Sequence, residues 1–212
     1  MVLCLVGISC VGKTTIGKML SIHLGYSYFD IDEEVEKFYQ KPIERIQDES
    51  VTMNRFREKA SIVLDNILSE NVNSVISGTP SGLKYSYLKV YKKHLKTREI
   101  ISIHIFDQPE NILKRLTFYD KDSKPIKIDL TESDNRKYLS EIISDYNCFK
   151  SSYQRADIQV DISSVYLKDI PDLIIDKLTA LNKNTSHQQH LDQLEFHKEV
   201  ENYQGVLTVC NK

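Results

Sequence analysis

The sequence has no Cys-x-x-Cys pair, no tryptophan, no long unbroken apolar run and no excess of one charge sign. Three of these absences exclude something. A membrane-spanning helix needs about 20 consecutive apolar residues, so no membrane partner is expected. Lys and Arg number 28 against 30 Asp and Glu, a net charge of −2. Such a balance gives no basic face for nucleic acid. The four cysteines, Cys4, Cys10, Cys148 and Cys210, lack metal-ligand spacing, which predicts reduced thiols in a cytoplasmic protein. No leader is expected either, because a motif with its own structural role begins at Gly7. The missing tryptophan, beside 12 tyrosines, carries no functional meaning.

What is present is an ordinary globular composition: 212 residues, 41% of them hydrophobic, enough for one well-cored domain. Gly7-Ile8-Ser9-Cys10-Val11-Gly12-Lys13-Thr14 matches G-x-x-x-x-G-K-[ST], the phosphate-binding loop. Chance would give such a match in about 1% of chains this long. An apolar run, residues 1–6, precedes it as a buried strand, and residues 15–24 follow with helical periodicity. Glycines let successive N–H groups turn toward phosphate oxygens, and the following helix aims its positive end at the same anion. The expected ATP-phosphate contacts are therefore Gly7, Ser9, Cys10, Val11, Gly12, Lys13, Thr14 and Thr15. Lys13 reaches the β- and γ-phosphates, and the Thr14 hydroxyl ligates Mg²⁺. Cys10 reads more simply as a small filler at an unconstrained position.

Strands and helices alternate along the rest. Expected strands cover 1–6, 26–30, 73–77, 99–106 and 157–161. Expected helices cover 15–24, 33–39, a short segment from 42, 54–69, 85–96, 108–118, 134–152 and 166–181. In helix 54–69, Phe56, Ile62, Val63, Ile67 and Leu68 supply the apolar side. Alternation of this kind specifies a parallel sheet with helices on both faces, with ligands at the carboxyl ends of the strands. The phosphate loop, Asp30 and Asp32, residues 78–82 and Phe106-Asp107 all fall at such ends. Asp30-Ile31-Asp32 has two readings. The pair can hold Mg²⁺ through water and orient an acceptor hydroxyl, or it can end a strand and cap a helix. The polar stretch 119–130 reads as a mobile loop. Beyond Leu181 the composition turns polar, and residues 182–212 are expected to be a linker and accessory tail. A modest helical pattern runs over 191–203, and His187, His190 and His197 read as solvated, not as a metal site.

At this point the chain resembles the shikimate kinases, small phosphate-loop kinases. The resemblance runs from Met1 to about Leu181. It rests on Gly7–Thr14, Phe29-Asp30-Ile31-Asp32, Phe56-Arg57, Gly78 after the third strand, and Ala156-Asp157-Ile158. It implies a three-layer α/β P-loop kinase fold, with a five-stranded parallel sheet and a mobile lid over about 118–130. It implies ATP as co-substrate, Mg²⁺ as cofactor, and a small hydroxylated, carboxylate-bearing acceptor bound by Asp32, Arg57, Gly78 and Thr79. Asp30 then lies in the outer shell of Mg²⁺, Asp32 positions the attacking hydroxyl, and Arg57 clamps the acceptor carboxylate. Taken alone, Arg57 reads as a surface arginine on a charged helix. Arg115 and Lys124 are expected to close with the lid over the transferring group. A monomer is expected.

Several positions depart from the family pattern. Ala60 stands where a glutamate is usual, Gly78-Thr79-Pro80 replaces a glycine triplet, and Lys124-Pro125-Ile126 replaces Arg-Pro-Leu. A second acceptor-binding arginine has no clear counterpart in 145–152, where Lys150 is the nearest cation. Shikimate is the favoured acceptor. A sugar acid, polyol or nucleotide is the alternative, as is a non-catalytic nucleotide-binding regulator. A GTP-type switch is disfavoured by the lack of an N-K-x-D signature.

Overall fold

The computed structural model describes residues 1–70 and 72–184. The expected helix 191–203, the apolar end 206–210 and the three tail histidines lie outside the described residues. Five strands form one parallel sheet: β1 (Val2–Val6), β2 (Ser27–Asp30), β3 (Ser74–Ser77), β4 (Ile100–Phe106) and, beyond a two-stranded hairpin, β7 (Ile158–Asp161). Their spatial order is β2-β3-β1-β4-β7, which makes β1 central. Leu3 lies level with Val75 on one side and Ile101 on the other.

All five residues of β1 are fully buried, as a strand covered on both faces requires. Successive side chains point to opposite faces. Leu3 and Leu5 pack with α1 (Lys13–Leu24) and α8 (Ile170–Asn184). Val2 and Cys4 pack with α2 (Ile31–Tyr39), α4 (Met53–Ser69) and α5 (Tyr85–His94). The sheet is thus the middle layer of three.

Several boundaries differ from expectation. Ile62 faces solvent at 51% exposure, because it falls outside the stripe Phe56, Ala60, Val63, Leu64, Ile67 that meets the sheet. The helix expected over 108–118 is only α6 (Pro109–Leu113). It unwinds through tighter turns in which the Arg115 N–H donates to the Ile112 carbonyl. The stretch expected as an open loop contains the hairpin β5 (Phe118–Tyr119) and β6 (Pro125–Ile126). Helix α7 (Glu132–Tyr153) starts two residues early, where Thr131 and Asp134 form a capping box. The last helix begins at Ile170, after a tight turn over Leu167–Asp169. No helix among the described residues is long and apolar enough to cross a membrane.

Candidate active site

The loop between β1 and α1 is held in a backbone shape that side chains resist. Gly7 has φ 151°, and a Cβ there would lie 2.4 Å from the Ile105 carbonyl oxygen, closer than any packing permits. Gly12 has φ 108°, and Cys10 adopts φ 59°, so Cys10 fills a position that asks for a turn rather than for a thiol. Cys4 and Cys10 are free thiols, as expected, whereas Cys148 is disulfide-bonded, against the expectation of reduced cysteines throughout. Val11 is fully buried and anchors the loop, while Ser9, Thr14 and Thr15 face outward. Gly12 caps α1 without a side-chain hydrogen bond, and the first turn of α1 has no acidic residue. Its N–H groups therefore present a partial positive charge to an anion.

Lys13 arches back over the loop. Its ammonium donates to the Gly7 carbonyl at 3.0 Å and the Ile8 carbonyl at 2.8 Å. Burial lowers its pKa, while Asp32 and Asp30 oppose that shift. The Thr14 hydroxyl donates to Asp30 Oδ2 at 2.8 Å, and the Tyr28 hydroxyl lies 3.2 Å from the same oxygen and 2.9 Å from Ser77 Oγ. Asp30 Oδ1 accepts the Asp32 N–H at 3.1 Å and so caps α2. The capping reading of Asp30 is thus met by one oxygen, while the other accepts from Thr14. A hydroxyl beside a carboxylate oxygen is a hard-oxygen pair that fits Mg²⁺, which takes one or two protein ligands and keeps its other positions for water and phosphate.

Asp32 follows on the first turn of α2 and opens toward a cavity of about 530 Å³. Crowding by the cleft walls, and then the Asp30 carboxylate, push its pKa up to about 6, against the pull of Lys13. Ser9, Arg57 and Thr79 line the same cavity. Arg57 is only 9% exposed. Its Nε donates to Ser81 Oγ at 3.1 Å, its Nη1 to Asn54 Oδ1 at 3.0 Å, and its guanidinium lies 4.9 Å from the Tyr85 ring centroid. No carboxylate among the described residues pairs with it. A buried guanidinium with neutral partners is poised to take a planar anion.

The other expected residues sit differently. Gly78, expected at the acceptor, is buried and does not line the cavity; its N–H bonds to the Leu5 carbonyl at 2.9 Å, and a Cβ there would stand only 3.0 Å from that same oxygen, too close without a shift. Pro80 lines the cavity and accepts the Tyr153 hydroxyl at 2.9 Å on its carbonyl. Ala60 is fully buried in the second core layer, where a carboxylate would need a partner. Arg115 contacts the loop through Nε to the Cys10 carbonyl at 3.3 Å, and its Nη2 pairs with Asp107 Oδ2 at 2.6 Å. Lys124 is exposed, its backbone N–H held by Asp120 Oδ1 at 3.0 Å. Neither Lys124 nor Lys150 lines the cavity.

A family model for shikimate kinase matches residues 9–179. The chain belongs to the shikimate kinase family. A shikimate kinase of Flavobacterium psychrophilum is 27% identical over 165 residues, covering 76% of this chain and 91% of that protein. One of Chlorobium phaeobacteroides is 42% identical over 64 residues, 30% of this chain and 32% of that protein. The solved shikimate kinase of Acinetobacter baumannii, in complex with shikimate, superposes with a TM-score of 0.64 at 22% identity, over 87% of this chain and 95% of that one. That likeness shows the fold, a P-loop kinase α/β sandwich. Family membership makes the chain an ATP-dependent phosphotransferase acting on an alcohol, with ATP as co-substrate.

Sequence reasoning missed Gln47, Ser81, Glu141, Ser144 and Asp145 as cavity residues. Ser81 depends on how residues 78–84 fold back, which carries no local signal. Glu141, Asp145 and Phe149 fall four apart on α7. That spacing was legible once one face of the helix was known to meet the site.

Proposed function

We propose that the chain transfers the γ-phosphoryl group of ATP to shikimate, giving shikimate 3-phosphate. The carrying observation is that a carboxylate raised to about 6, Asp32, and a buried guanidinium without a counter-ion, Arg57, line one cavity that reaches the phosphate loop at Ser9. In this reading loop N–H groups and Lys13 bind the triphosphate. Thr14 and, through water, Asp30 hold Mg²⁺, which supplies charge neutralisation on the phosphates. Arg57 fixes the acceptor carboxylate bidentately. Asp32, ionised near neutrality, accepts the hydrogen bond of the attacking hydroxyl and then its proton. Arg115 stays beside the loop to meet charge developing on the transferring group, and Lys124 joins it when the segment 118–130 closes as a lid. Closure excludes water, which would otherwise take the phosphoryl group. Residues 1–181 form the kinase unit, a cytoplasmic monomer with no nucleic-acid or membrane partner.

The test is ADP release from MgATP with and without shikimate, on wild type and Lys13→Ala. Shikimate-dependent release in wild type, lost in Lys13→Ala with its circular dichroism unchanged, is the expected result. ATP binding without shikimate stimulation would refute shikimate as the acceptor.

A further inference from the structure

Tyr85 stands in a backbone conformation that its side chain resists. Its φ is 54°, in the left-handed region, where a bulky residue is a genuine outlier. The corner is imposed from both sides. Just before it, Lys84 is extended, and its ammonium donates to the Cys148 carbonyl at 2.9 Å. Just after it, Tyr87 and Tyr91 are buried and fix the phase of α5. Glycine or asparagine would occupy such a corner at little cost, and tyrosine does not.

Burial of the ring does not account for the choice, since Tyr85 is 51% exposed. What the ring meets is the Arg57 guanidinium, whose Cζ lies 4.9 Å from the ring centroid. Arg57 itself is only 9% exposed, so the half-exposed ring stands on its solvent side. The other restraints lie in the guanidinium plane: Nε donates to Ser81 Oγ at 3.1 Å and Nη1 to Asn54 Oδ1 at 3.0 Å. Ser81 Oγ is in turn 3.4 Å from Thr79 Oγ1, and both residues are buried. Two in-plane bonds leave a tilt about the line that joins them, and a ring against one face removes it. We propose that Tyr85 is a positioning residue for the acceptor: its ring holds the Arg57 fork in the plane from which it takes a carboxylate. The inference rests on the phosphoryl-transfer reading above and deepens it. Strain of this kind persists where the surrounding structure over-determines it, and it serves preorganisation. A fork fixed before the acceptor arrives loses less freedom on binding, and bidentate pairing depends on its plane. The face of the ring attracts the cation, so the phenol oxygen is dispensable.

The test compares Tyr85→Phe, which keeps the ring, with Tyr85→Asn, which suits the left-handed corner and removes the ring. Shikimate is titrated calorimetrically into the full-length chain in the presence of MgADP, and ADP release from MgATP is followed on the same preparations. Tyr85→Asn should weaken shikimate binding about fivefold, leave the KM for ATP unchanged and not lower the melting temperature. Tyr85→Phe should bind shikimate as wild type does. In an Arg57→Lys background, where the fork is already gone, Tyr85→Asn should change shikimate binding by no more than about twofold. A ring that serves stability alone gives another pattern, a lower melting temperature with unchanged shikimate affinity, and that result overturns the proposal. So does a loss undiminished in the Arg57→Lys background, or weakened binding by Tyr85→Phe. Shikimate-dependent ADP release with equal affinity in every Tyr85 variant sinks the positioning role alone. The expected binding pattern without ADP release sinks the transfer reading alone, and wild type that binds no shikimate sinks both.

Discussion

Asp32 stands between opposing influences. The cleft walls and Asp30 disfavour its charge, and Lys13 favours it, leaving a pKa of about 6. A base must be ionised to act, so acceptor-dependent kcat/KM should fall as pH drops through about 6. Asp32→Asn should remove that limb and lower turnover at least ~100-fold, with ATP binding retained. Equal loss of both would assign Asp32 to the nucleotide or to structure. The sign for stability is reversed. The folded-state pKa lies above the ordinary 3.8, so the folded protein holds this proton more tightly than the unfolded chain. The penalty of ionising it grows as pH rises from about 4 to about 6 and is complete above that. Asp32→Asn should therefore relieve part of that penalty at pH 7 while suppressing catalysis, solvent screening at this exposed side chain keeping the gain in melting temperature small. Arg57→Lys keeps the charge but loses the fork that Ser81 and Asn54 orient. The acceptor KM should rise about tenfold or more, the KM for ATP staying the same. An unchanged acceptor KM would remove Arg57 from the acceptor site.

Among the elements, the β5–β6 hairpin is the weakest by construction. Each strand has two residues, and an isolated hairpin is marginal in water. Its outside support comes from α3 (Ile43–Asp48): Arg45 pairs with Asp122, and the Ile43 N–H donates to Ser123 Oγ at 3.1 Å. These contacts tie the segment containing Lys124 to α3. The ion pair is exposed, which limits its contribution to ~1 kcal/mol. Arg45→Ala should accordingly raise acceptor-independent ADP release by no more than about fivefold, through freer access of water. No change would mean that the pair does not restrain the hairpin. At the other end of this segment the Thr131–Asp134 capping box fixes where α7 begins. It thereby sets the helical phase that turns Glu141 and Asp145 to the cavity. Thr131→Ala should cost about 1 kcal/mol of stability, read from denaturant unfolding.

For the whole molecule, residues 1–181 contain the sheet, both core layers and the cavity. Removing 185–212 should leave kcat, KM and melting temperature within error, and the truncated chain should elute as a monomer. A lost activity would give the tail a part in the site. Much of the architecture was legible in local pattern. Residues 7–14, the buried run of β1 and the strand–helix alternation led to a parallel sheet with phosphate at its carboxyl edge. Each of those signals is repeated within a few residues. The extent of α6, the hairpin and the outward turn of Ile62 were not legible, because tertiary partners such as Asp107 and α3 set them. The site divides the same way. Lys13, Thr14, Asp30 and Asp32 are close in sequence to the motif that announces them. Arg57 gained its meaning only on burial, where it lies against Ser81 and Tyr85 without a carboxylate. Glu141 and Asp145 reach the cavity from more than 80 residues beyond Arg57, and only the packing of α7 across the cleft brings them there. Local chemistry was enough to point to a phosphate donor site, since one continuous loop would build it. The character of the proposed acceptor pocket was decided in three dimensions, because its walls come from segments that approach each other only after the sheet and its helices have packed.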